Sequence, residues 1–141
     1  MQAIIHHYYP LLAAFSSMLT AQVIKHLLFL ITGNLKINTK NLLTAGGMPS
    51  THSALVSGLT LSVALSQGLS STPFAICLVF SCIVLYDATG IRQAVAKQAA
   101  ILNRLTPGEE KKLSEFIGHT PQEAGAGVCV GLIIATLLYF V

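Results

Sequence analysis

Two short stretches hold residues whose types and spacing could do chemistry. Pro49-Ser50-Thr51-His52-Ser53 and Gly118-His119-Thr120-Pro121-Gln122-Glu123 each place a histidine in a hydroxyl-bearing turn just ahead of an apolar run. A histidine titrates near neutrality, so it can act as a proton donor or, when neutral, as a nucleophile. Both turns also read as helix starts. Ser50 or Thr51 is a good N-cap; Thr120 is another, with Pro121 suited to the first helical position and Glu123 completing a T-x-x-E capping box. A helix N-terminus presents free N–H groups and the positive end of the dipole, which favours an anion such as phosphate.

The remaining ionisable groups near the apolar runs are Lys25, Asp87 and Arg92. Each has a plainer reading. The histidines could be merely amphipathic, Glu123 only a cap, Lys25 a snorkelling side chain, and Asp87 the counter-ion of Lys25 or Arg92. Ionisable groups inside membrane segments are costly, however, and several that converge on one face point to a site.

The elements that must position these groups follow from composition and hydropathy. Hydrophobic residues make up 53% of the 141-residue chain and charged residues only 9%; mean hydropathy is +0.70. Soluble domains carry about a quarter charged residues, so the expected solvent is lipid. The length suggests one domain, 1–141. Four apolar blocks approach the roughly 20 residues a spanning helix needs, at about 9–31, 51–69, 73–90 and 121–141. Residues 68–73 are uncharged and join the second and third blocks as a helical hairpin. The expectation is an all-α integral membrane protein with about four transmembrane helices. Within 91–105, Ile91, Val95, Leu102 and Leu105 recur at helical spacing among polar residues, which predicts an interfacial amphipathic helix.

Four crossings place the connections 32–50 and 91–119 on one side and both termini on the other. Lys36, Lys40, Arg92, Lys97, Arg104, Lys111 and Lys112 then share a face, which the positive-inside rule assigns to the cytoplasm. A multi-pass cell (inner) membrane location follows, with the motif histidines on the cytoplasmic face. The formal charge of +3 sits between apolar blocks, so basic residues read as topology signals and no nucleic acid partner is expected. Cys77, Cys82 and Cys129 lie inside apolar segments without ligand-like spacing, so neither a disulfide framework nor a metal site is implied. MQAIIHHYYP lacks a basic n-region and is not read as a cleaved signal peptide. Gly127-Val128-Cys129-Val130-Gly131 is a G-x-x-x-G, suited to close helix packing within the fold or in a homo-oligomer.

Pro49-Ser50-Thr51-His52 and Gly118-His119-Thr120-Pro121-Gln122-Glu123 resemble the second and third signatures, P-S-G-H and S-R-x5-H-x3-D, of the type-2 phosphatidic acid phosphatase and vanadium haloperoxidase superfamily. With GGMPSTHSA, YDATGIRQA and QAAILN added, the chain more closely resembles the divergent branch of that superfamily from about Lys25 to Gly131. The resemblance implies a membrane phosphatase acting on a lipid phosphate monoester, of the phosphatidylglycerophosphate or phosphatidate kind, without metal or cofactor. It implies that His119 attacks phosphorus to form a phosphohistidine, that Glu123 orients it, and that His52 protonates the leaving alkoxide. Ser50 and Thr51, with the turn's N–H groups, and Lys25 would hold the phosphoryl oxygens. Leu113 stands where the signature has arginine and no Arg-Pro dipeptide occurs; Arg92 is the preferred substitute for the missing guanidinium and Lys112 the other, because a planar fork suits phosphate. The alternative is a non-catalytic membrane protein that binds lipid headgroups or a partner through the same pocket.

Overall fold

The computed structural model describes residues 2–31, 47–108, 112–115 and 117–141. Lys36, Lys40, Glu109, Glu110 and Lys111 lie outside the described residues. All regular structure among the described residues is helical: α1 (Gln2–Ile31), α2 (Thr51–Gln67), α3 (Thr72–Tyr86), a π-helical turn (Asp87–Ile91), α4 (Arg92–Leu105) and α5 (Pro121–Tyr139). The chain is an all-α membrane protein, as its hydropathy predicts. Three continuous helical stretches are long and apolar enough to cross a bilayer: Tyr8–Ile31, Thr72–Leu105 and Pro121–Tyr139. The fourth, α2, has 17 residues, at the short end of the spanning range.

α2 lies at the centre, packed against α1, α3 and α5, and α1 also meets α5. Its position follows from side-chain size. Most buried positions are small: Ala13, Ala14, Ser17 and Ala21 on α1, Ser53, Ala54, Ser57, Gly58 and Ser62 on α2, and Ala124, Gly127, Gly131 and Ala135 on α5, with Tyr9, Val56, Thr60 and Val63 as the larger buried residues on α1 and α2. The large residues Leu11, Phe15, Leu19, Ile76, Val79, Ile83, Ile133 and Leu137 face outward. Lipid tails are as apolar as leucine, so burying leucine gains little; small residues that let backbones approach gain dispersion contacts instead.

Both glycines of the G-x-x-x-G motif turn inward. A Cβ on Gly127 would strike the Ser50 carbonyl, and one on Gly131 would strike the Ser57 hydroxyl and the Ala54 carbonyl. The motif therefore serves close packing of α5 on α2 within the fold. Hydroxyls complete the contacts: Thr60 Oγ1 and Ser81 Oγ pair at 2.7 Å between α2 and α3, and the Tyr9 hydroxyl donates to the Ala135 carbonyl at 2.7 Å between α1 and α5.

The start of each later helix is set by a cap. Ser50 accepts from the Ser53 N–H, Ser71 from the Phe74 N–H, and Thr120 from the Glu123 N–H. Ser50, not Thr51, is thus the cap of α2. The third span does not end near residue 90. It runs unbroken from Thr72 to Leu105 over 34 residues, about 50 Å at 1.5 Å per residue and well beyond a hydrocarbon core of about 30 Å. The amphipathic helix α4 is therefore the continuation of this span past the membrane edge. The C-terminal end of α1, the N-terminal ends of α2 and α5, and the π turn all lie at that edge.

Candidate active site

Three local features bring the motif residues together. His52 sits in the first turn of α2 because Ser50 ends the preceding segment. His119 is set by the α5 cap: the Thr120 hydroxyl takes the Glu123 N–H at 3.2 Å, and the Glu123 carboxylate takes the Thr120 N–H at 2.8 Å. The third feature is the π turn. The His119 N–H donates to the Ala88 carbonyl at 3.0 Å, and Gln93 Nε2 donates to the His119 carbonyl at 2.7 Å. The nucleophile candidate is thus held by its own peptide groups against the junction of π turn and α4. Gly118 permits this approach, since a Cβ there would lie 2.6 Å from the Gln93 nitrogen and 2.8 Å from its Cα. Asn103 steadies the segment leading in, donating to the Leu113 carbonyl and accepting from the Leu113 N–H, each at 2.9 Å.

The result is a small cavity of about 20 Å³ lined by His52, Val84, Asp87, Ala88, Arg92 and His119. The two histidine rings are neighbours, tilted by 56° with centroids 6.5 Å apart. His119 is 1% exposed, yet neither ring nitrogen has a hydrogen-bond partner among the described residues. Buried polar atoms are nearly always paired, so a buried imidazole with both nitrogens unpaired beside a cavity is a candidate for chemistry. Its Nδ1 lies 3.5 Å from Glu123 Oε2, an electrostatic distance longer than a formed hydrogen bond. Burial pushes the His119 pKa below the ordinary histidine value; the Lys25 charge adds to that, and the Glu123 carboxylate opposes it. The balance favours the neutral ring over the charged one.

Asp87 and Arg92 form the charged rim, Arg92 Nε donating to Asp87 Oδ2 at 2.5 Å. Asp87 is therefore the counter-ion of Arg92, resolving the alternative with Lys25. Lys25 stands behind the site on α1, its stem alongside Gly47, near enough for its charge to act on His119 and Glu123. Ser50 is placed differently from a phosphate ligand. It is fully buried, its hydroxyl accepts from the Ser53 N–H and hydroxyl, and its own N–H donates to the Glu123 carbonyl. The cap and the close approach of α5 consume it. Thr51 begins α2 beside it, and neither residue lines the cavity; nor does Lys112, which is exposed. Among the described residues no three His, Cys, Asp or Glu side chains are grouped to hold a metal ion.

Sequence reasoning missed Gln93 and the Ala88 carbonyl. The signal was Gly90 after Thr89, two poor helix formers between strongly helical neighbours, which is where a helix changes register.

Comparison with known proteins agrees with this picture. Residues 6–134 match the model of the Divergent PAP2 family. The chain is also 33% identical over 150 aligned positions to the membrane protein YuiD of Bacillus subtilis (strain 168), covering 94% of each chain. No solved structure matches it. A family match running from α1 almost to the end of α5, over a bundle whose motif histidines meet at one face, makes this chain a member of the Divergent PAP2 family.

Proposed function

We propose that the protein is a metal-independent membrane phosphatase that hydrolyses a lipid phosphate monoester, of the phosphatidylglycerophosphate or phosphatidate kind, through a phosphohistidine. The observation that carries this reading is the buried His119 ring, with both nitrogens free, facing His52 and Arg92 across one cavity. Glu123 lies on the Nδ1 side, which leaves Nε2 as the attacking atom. In the first step the Nε2 lone pair forms a bond to phosphorus while the P–O bond to the alcohol breaks. His52 delivers a proton to the departing alkoxide. In the second step water attacks phosphorus, His52 takes its proton, the P–N bond breaks and phosphate leaves.

Arg92, Lys25 and the N-termini of α2 and α5 supply the positive charge that the phosphoryl oxygens require, so the scheme calls for no metal and no cofactor. The cytoplasmic face follows from the basic connections, with the termini opposite, and the substrate is then an inner-leaflet lipid.

Phosphate release from a panel of lipid phosphates by the purified protein tests the proposal. Turnover that survives EDTA, is inhibited by vanadate and is abolished by His119→Ala supports it. Turnover lost to EDTA and restored by magnesium refutes the phosphohistidine scheme. Binding of lipid phosphates that depends on His119 without any release would leave the headgroup-binding reading in its place.

A further inference from the structure

Asp87 is an odd residue to find in an anion pocket. Its carboxylate lines the same cavity as Arg92 and the two histidines, where it repels the ligand that the cations attract. Its place there is nevertheless built into the backbone. In an α-helix, residues five apart point about 140° away from one another. The π turn over Asp87–Ile91 changes that register: the Arg92 N–H bonds the Asp87 carbonyl, and the two side chains fall into contact. The local geometry of the chain is thus spent on bringing this carboxylate onto this guanidinium.

The pair is also the removable wall of the cavity. About 20 Å³ gives room for a water molecule and not for a phosphoryl group. Val84 and Ala88 belong to the packed face of the third span, and His119 is pinned through its peptide groups on both sides. Asp87 and Arg92 are 35% and 41% exposed, and an ion pair that open contributes little to stability. A carboxylate on an arginine fork uses the same donors that a phosphate would use.

We propose that Asp87 is an internal stand-in for the phosphoryl group, and that a phosphate monoester enters the site by displacing the Asp87 carboxylate from Arg92. The proposal rests on the reading of the His119 cavity as a phosphate site and adds to it how the site is opened. The ligand chemistry is a phosphate monoester dianion, whether on a lipid or free in water.

Binding measured on the full chain in phosphatidylcholine nanodiscs tests it, with inorganic phosphate as one probe and phosphatidate added to the nanodisc lipid as the other. Asp87→Asn keeps the shape and removes the charge, so it should bind both probes about tenfold more tightly than wild type. Equal or weaker binding by Asp87→Asn overturns the proposal and makes Asp87 an orienting partner of Arg92, while wild-type binding lost in His119→Ala leaves the site itself standing. A gain confined to the phosphatidate nanodiscs assigns the effect to the lipid surface and also overturns it. Binding of neither probe to either protein removes the phosphate-site reading along with the proposal. A second measurement needs no variant: the Arg92 Nε–H resonance of wild type should shift when phosphate is added and stay in place when chloride is added. A resonance indifferent to phosphate in a protein that binds it sinks the displacement.

Discussion

Glu123 Oε2 lies 3.5 Å from His119 Nδ1 and accepts the Thr120 N–H at 2.8 Å. One carboxylate oxygen thus starts a helix and sets the charge beside the nucleophile candidate. The two roles can be separated, because glutamine also completes a capping box while carrying no charge. Glu123→Gln should keep the thermal stability of wild type, whereas Glu123→Ala should lose about 1 kcal/mol of it through the cap. Calorimetry or a thermal shift assay on the two variants checks this.

The same substitution has a signed effect on pH dependence. In the proposed scheme the neutral form of His119 is the nucleophile, so activity should disappear as pH falls through its pKa. Burial and Lys25 hold that pKa below the ordinary value and Glu123 alone among the neighbouring carboxylates raises it. Glu123→Gln should therefore move the acid limb of kcat/KM to lower pH and lower the plateau, since the ring becomes less basic. A limb that moves to higher pH contradicts the assignment of His119 as the titrating base.

Arg92→Lys retains a charge and loses the planar fork. A lost charge-assisted contact of about 1.5–3 kcal/mol corresponds to a rate about 10- to 100-fold lower, with the fold intact. Phosphate release at saturating and limiting substrate measures the loss. An unchanged rate removes Arg92 from the phosphate contacts and shifts the role to Lys25.

Gly118 touches no substrate in this arrangement, yet its substitution should be severe. The Cβ of Gly118→Ala meets backbone atoms of Arg92 and Gln93 at 2.6–2.9 Å, which cannot rotate away. His119 must then retreat from the Ala88 carbonyl, and a displacement of about 1 Å at a reacting group costs on the order of 100-fold. Gly125→Ala, on the α5 helix that follows, meets nothing within 4 Å and should be silent in the same assay.

Sidedness is tested by single cysteines in a variant lacking Cys77, Cys82 and Cys129. Cysteines at Ser70 and Lys112 should label with an impermeant reagent from opposite sides of the membrane, with 112 on the cytoplasmic side. Labelling of both from one side would be incompatible with the third span, Thr72–Leu105, as a full crossing.

Lipid as the solvent, the all-helical class and the cap of α5 were legible in the sequence, whereas the end of the third span and the choice of Ser50 over Thr51 were not. Each of the legible features is local: hydropathy summed over a window sets a span, and Ser50 and Thr120 each cap a helix through a hydroxyl that accepts the N–H three residues on. His52 and His119 were legible for the same reason, as histidines at capped helix starts. The tertiary structure decided everything that depends on register or on contact between distant segments. It turned Ser50 inward under Gly127, made Asp87 the partner of Arg92 through a π turn, and drew the peptide of His119 to Ala88 and to Gln93, the latter across 26 residues. A one-residue change in helical register rotates a side chain by about 100°, and composition does not encode that. Only the packing of α5 against α2 and the third span selects the register in which two histidines, an arginine and an aspartate share one cavity.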